Sequence, residues 1–80
     1  MNFFPLQVLK IDEVIFSGEA LSLQAPGSLG ELTVLAQHET ILTSLRQGEL
    51  IIKPKKGDEI RIEIEQGFLE ADRNKVTVLL

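Results

Sequence analysis

Cysteine is missing from this sequence altogether, as are tryptophan and tyrosine, and histidine occurs once. The first absence removes a disulfide framework, thiolate chemistry and cysteine-ligated zinc together. The lone His38 has no second imidazole or thiolate with which to share a metal, and no serine stands in a Gly-x-Ser-x-Gly elbow. Neither a hydrolase nor a zinc site is therefore expected. Aromatic side chains are limited to four Phe, and twelve acidic against eight basic residues leave a net charge of −4. Such a surface repels a phosphate backbone and has little to stack on bases, which argues against nucleic acid as a partner. Long apolar runs are absent as well: none nears the ~20 residues of a membrane-spanning helix. The opening MNFFPLQVLK has no basic segment ahead of its apolar residues, which Pro5 and Gln7 interrupt, so it does not read as a secretory signal. Contact with a membrane is expected only through partners.

The few glycines do not build a phosphate loop, because no strand-to-helix transition with Gly-Lys-Ser/Thr follows Gly27, Gly30 or Gly48. The acid pairs Asp12-Glu13 and Asp58-Glu59, and Glu63 with Glu65, read as solvated charges; a calcium loop needs more oxygen donors at tighter spacing. No catalytic residue, metal or cofactor is expected.

What the sequence does contain is alternation. In EIRIEIEQG, Ile60, Ile62 and Ile64 alternate with charged residues, the period of a half-buried strand. ALSLQAP places Leu21, Leu23 and Ala25 on one face and Ser22 and Gln24 on the other, and Pro26-Gly27 ends it. PKKGD and DRNK put turn formers between further apolar runs, and LQVLKI, VIFS, ELTVL, GELIIK, GFLEA and VTVLL complete the set. The expected fold is all-β: a small two-sheet β-sandwich of seven to ten short strands forming one domain over residues 1–80. Only HETILTSLRQG reads otherwise. Ile41, Leu42 and Leu45 sit at helical spacing, which predicts at most one short helical turn near residues 38–46. LQVLKI is apolar on both faces, with Leu6 and Val8 on one and Leu9 and Ile11 on the other, so a docking face for another protein is one expectation.

The order of motifs carries a further reading. Phe16-Ser17-Gly18, Pro26-Gly27, Gly30-Glu31, His38, Leu42-Thr43, Gly48, Gly67-Phe68-Leu69-Glu70 and Asn74-x-Val76-Thr77-Val78-Leu79 together resemble the N-terminal β-sandwich domain of the epsilon chain of F-type ATP synthases, over residues 6–80. The resemblance implies a non-catalytic central-stalk, or rotor, subunit of a proton-translocating complex, peripheral to the cytoplasmic face of a bacterial inner membrane. It implies contact of Ser28, Gly30 and Glu31 with the polar loops of the c-ring, and of Leu9, Lys10, His38 and Thr40 with the gamma chain. Gly18, Gly27, Gly48 and Gly67 would be structural glycines. The sequence departs from the family at Ala36-Gln37 and Thr40, where prolines and a glycine are common, and at Gln66, where a second glycine precedes Gly67. Typical members continue into a C-terminal helical hairpin that can restrain ATP hydrolysis; this sequence ends at Leu80, so coupling without that restraint is the expectation.

A second reading is a lipoyl- or biotinyl-type carrier domain modified on Lys75, suggested by the Gly-Asp strand and the acid-flanked lysine. Arg73-Asn74 stand where that lysine should follow an aspartate directly, and the two halves show no repeat.

Overall fold

The computed structural model describes residues 2–80, and among them eight strands follow one another with no helix. They are β1 (Phe4–Lys10), β2 (Glu13–Gly27), β3 (Gly30–Leu35), β4 (Ile41–Leu45), β5 (Gly48–Pro54), β6 (Ile60–Ile64), β7 (Gly67–Ala71) and β8 (Val76–Leu79).

Pairing arranges them in two layers. The first half of β2 pairs with β1, β1 runs parallel to β8, and β7 joins β8 to β4. The second half of β2 lies between β3 and β5, and β6 completes that layer beyond β5. One 15-residue strand thus belongs to both layers. Two bulges let it do so. Register slips between Val8 and Leu9 against β2, which leaves Ile15 unopposed, and between Ala20 and Ser22 against β5, which leaves Leu21 unopposed. An extra residue on one strand bends it and tightens its twist, which turns β2 from one layer into the other. VIFS and ALSLQAP, separate strands by their sequence pattern, are therefore one. The second bulge also changes the phase: Ala20, Leu23 and Ala25 enter the core, and Leu21 is only half-buried.

Every strand contributes to that core. Phe4, Leu6 and Val8 form one cluster with Ala20, Leu23, Ala25, Val34, Leu45, Leu50, Ile52, Ile64, Leu69, Ala71, Val76 and Val78. No polar or charged side chain is buried among the described residues, and no buried side-chain nitrogen or oxygen there lacks a partner. Inside, the layers are held by apolar burial, with no buried polar network to align them.

Near 38–46, where the spacing allowed at most one short helical turn, there is none. Ile41–Leu45 is β4, in which Ile41, Thr43 and Leu45 turn inward, Leu42 and Ser44 face out, and each residue is opposed by one of β7. A threonine in an inward position hid the two-residue period, so that Ile41, Leu42 and Leu45 imitated a helical stripe. Tertiary pairing with β7, and the strand preference of Ile and Thr, decide the outcome.

Candidate functional site

Residues directly opposite each other on paired strands project to the same side of a sheet. On the outside of the first layer, this rule builds a row that no single segment announces. Val14 on β2 opposes Leu9 on β1, Leu9 opposes Leu79 on β8, and Leu79 opposes Phe68 on β7. Val14, Leu79 and Phe68 are exposed and Leu9 is half-buried; Leu42 stands exposed on β4, one row away. Four strands at ~4.8 Å spacing make this apolar row roughly 14 Å long. The outside of the second layer is different. There Thr33, Gln24, Ile51 and Arg61 share a row, and the Arg61 guanidinium donates to Glu59 at 2.9 Å and Glu49 at 3.0 Å. Those two carboxylates, by hydrogen bond first and charge second, raise the Arg61 pKa above its ordinary value and keep the face ionic. One face of the sandwich is apolar along a row and the other is charged.

Ser28, Gly30 and Glu31 belong to the hairpin between β2 and β3. Gly27 opposes Gly30 across the two-residue turn Ser28-Leu29. Gly30 adopts φ 136°, a backbone conformation that side-chain-bearing residues rarely tolerate, while Ser28 and Leu29 keep negative φ. The hairpin is fastened to β4. The Ser28 amide and hydroxyl both donate to the Ser44 carbonyl at 3.0 Å, the two hydroxyls are 2.6 Å apart, and the Arg46 amide donates to the Pro26 carbonyl at 2.9 Å. Close packing sets the rest: a Cβ on Gly27 would lie 2.7 Å from the Gly30 carbonyl oxygen, and one on Gly48 would lie 2.8 Å from the Pro26 Cβ. Glu31 is exposed beside this turn and opposes Pro26. Gly67 is equally confined, 2.9 Å from the Leu79 carbonyl oxygen at the Cβ position. Gly18 is not; its nearest neighbour would be a Phe16 ring carbon at an ordinary 3.5 Å.

His38 and Thr40 sit at the opposite end of β1 from Leu9 and Lys10. The His38 ring stands edge-on to Phe4, the first residue of β1, with centroids 5.8 Å apart, and its Nδ1 lies 3.2 Å from the Glu39 carbonyl, which accepts a hydrogen bond in the Nδ1-protonated tautomer. Six residue-to-residue steps along the strand take Phe4 to Lys10, roughly 20 Å at ~3.3 Å each. The four residues assigned to the gamma chain are therefore two pairs. Leu9 lies in the apolar row; Lys10 closes the β1–β2 turn against Glu13. His38 and Thr40 line an open recess with Gln37, Arg73 and Asn74. Gln37 takes φ 63°, a left-handed conformation that glycine adopts more readily than a residue with a side chain, so the backbone here carries some strain.

Lys75 lies next to that recess and is not at a hairpin apex. Its amide and that of Asn74 donate to the Asp72 carboxylate at 2.9 and 2.7 Å, closing the β7–β8 turn. Those two backbone bonds, that from Asn74 foremost, hold the Asp72 carboxyl below the usual carboxylate range. Nothing in this turn presents Lys75 as an attachment site. Among the described residues no group of acidic or imidazole side chains is arranged to hold a metal.

Of the apolar row, Leu9 alone stood out in the sequence. The signal for the others was present: in GFLEA, Leu69 and Ala71 fix the inward phase, which turns Phe68 outward, and in VTVLL the inward Val76 and Val78 do the same to Leu79.

The fold is thus a two-layer all-β sandwich domain with one apolar outer row and a rigid glycine-built hairpin. Residues 3–80 match the family described as ATP synthase, Delta/Epsilon chain, beta-sandwich domain, and the chain belongs to that family. It is 38% identical over 80 residues to the ATP synthase epsilon chain of Sulfurimonas denitrificans, covering all of this chain and 62% of that protein. It is likewise 38% identical over 79 residues to the epsilon chain of Polaromonas naphthalenivorans, of which it covers 57%. The chain spans about three-fifths of the length of these curated relatives. Among solved structures, the Euglena gracilis mitochondrial ATP synthase, OSCP/F1/c-ring, contains a chain with TM-score 0.88 and 24% identity, matched over 96% of this chain and 49% of that one. The central stalk/c-ring of the Tetrahymena thermophila enzyme contains another, with TM-score 0.80 and 13% identity over 95% and 61% of the two chains. These two share the fold. The carrier reading through Lys75 is set aside by the family match.

Proposed function

We propose that this sandwich is the non-catalytic body of a central-stalk subunit in a proton-translocating F-type ATP synthase, coupling the gamma chain to the c-ring at the cytoplasmic face of the inner membrane. The observation that carries the reading is the apolar row Val14, Leu9, Leu79 and Phe68 on one outer face of a domain that matches the epsilon-chain family throughout. A contiguous apolar stripe left in water favours a partner that removes it from water, at roughly 25 cal/mol per Å² buried. The gamma chain is the occupant proposed for it, with His38 and Thr40 as a second contact point at the far end of β1. The hairpin carrying Ser28, Gly30 and Glu31 is proposed to rest on the c-ring loops. Between the two contacts lies an interior packed as densely as an organic crystal, which transmits torque without deforming. No cofactor takes part.

Size-exclusion chromatography of the chain mixed with gamma tests the proposal. A complex with one copy of each is expected, and Phe68→Ser combined with Leu79→Ser should dissolve it while leaving the melting temperature of the free domain close to that of the parent. Two separate peaks from the unaltered pair at micromolar concentration would remove the gamma contact from consideration.

A further inference from the structure

Leu29 is 100% exposed at the apex of the β2–β3 turn. A single exposed leucine on a sheet is unremarkable. At a two-residue β-turn it runs against local preference, because Gly, Asn, Asp and Ser fill such positions for reasons of backbone geometry and hydrogen bonding. Nor can the apex relax to shelter it. Ser28 is tied to Ser44 by its amide and its hydroxyl, Arg46 is tied to Pro26, and Gly27 is packed so closely that a Cβ there would lie 2.7 Å from both the Gly30 carbonyl oxygen and the Leu32 side chain. The side chain is held out from the body by a rigid stem.

A second aliphatic tip occupies the same end of the molecule. Ile11, 93% exposed, crowns the β1–β2 turn. Register places the two: the row that starts at Val14 beside this turn passes through Leu9, Leu79 and Phe68 to Ser44, which holds Ser28. Ile11 and Leu29 therefore stand at opposite corners of one end, at the two limits of a five-strand row, on the order of 20 Å apart at ~4.8 Å per strand. The charged side chains on these two turns and the neighbouring β4–β5 turn are Asp12, Glu13 and Glu31 against Lys10 and Arg46. Apolar tips framed by a surplus of acid fit a surface with apolar notches and basic rims.

We propose that Leu29 is an apolar pin that seats between adjacent polar loops of the c-ring, with Ile11 as a second pin on another loop of the same ring and Glu31 supplying the charge contact beside the first. The proposal rests on the c-ring contact proposed above and adds the residue that fixes the position of the hairpin on it. Charge attracts along a broad slope, whereas a leucine in a notch binds at one register.

The test uses the complex of this chain with gamma, presented to purified c-rings in lipid nanodiscs. Leu29→Ser should weaken ring binding by about tenfold or more, the effect of losing one buried aliphatic side chain. That loss should persist at high salt, whereas the loss from Glu31→Gln should fade as salt rises. Leu29→Met should bind like the parent, and neither Leu29 variant should alter gamma binding or the melting temperature. Parent-like ring binding by Leu29→Ser, with the Glu31 effect intact, would overturn the pin and leave the coupling function standing. A Leu29→Met variant as weak as Leu29→Ser would also overturn it. Failure of the parent complex to bind the ring at any salt would overturn the c-ring contact and the pin with it.

Discussion

Gly30 and Glu31 are neighbours with separable roles. At φ 136° Gly30 has open space where a Cβ would stand but a backbone that other residues resist, so Gly30→Val should destabilise the domain by about 1–3 kcal/mol. Glu31 is exposed and its side chain makes no hydrogen bond or ion pair among the described residues, so Glu31→Lys should shift stability by less than about 1 kcal/mol while weakening coupling of the membrane sector to the head. Thermal melts and ATP-driven proton pumping separate the two; equal losses of melting temperature would make Glu31 a structural residue. Asp72 offers a pH test at the same scale. Its carboxylate accepts from the Asn74 and Lys75 amides, which lowers its folded pKa below the unfolded value. A group shifted in that direction contributes its full stabilisation above the unfolded pKa and loses it as pH falls through the folded one. Melts from neutral to strongly acidic pH should show the parent losing its advantage over Asp72→Asn across that acidic window, and a gap that stays constant with pH would dismiss the carboxylate as the cause.

At the scale of the strand, β4 gives the sharpest contrast between the two readings of one segment. A helical stripe would make Leu42 and Leu45 equal members of a core. The strand makes them opposites: Leu45 is buried and Leu42 points to solvent. Leu45→Ala should therefore cost about 2–5 kcal/mol, whereas Leu42→Ser should stay within about 0.5 kcal/mol, as read from urea midpoints. Comparable losses would contradict the pairing with β7. The strands that were legible from sequence, β5 to β8 above all, lie between clear turn formers, and in β6 the alternation is uninterrupted. Those that were not, β2 and β4, owe their form to something outside themselves: a bulge whose extra residue shifts the inward phase, and a neighbouring strand that accepts a threonine in the inward row.

For the whole molecule, the all-β class followed from local pattern, since a two-residue period survives in any short window. The candidate surface did not. Its residues come from positions 14, 9, 79 and 68, and they become a row only through one parallel pairing and two antiparallel ones. The same topology divides Leu9 and Lys10 from His38 and Thr40, although sequence motifs alone invite grouping them. Periodicity tells which way a side chain points; it cannot tell which strand lies alongside.

The parallel pairing of β1 with β8 also governs time. β8 lies between β1 and β7 and pairs with both. Until residues 76–79 arrive, β1 and β7 have a gap where a shared neighbour belongs, and the apolar interior stays open along that seam. The nascent chain cannot seal its sandwich from the N-terminus onward; closure waits for β8 to slot between two strands that formed earlier. Pairings this distant along the chain place folding on the millisecond-to-second side of the range for small domains. A ribosome-bound chain short of β8 should accordingly remain open to chaperones and proteases, and the apolar row through Leu79 is complete as a surface only after β8 has inserted.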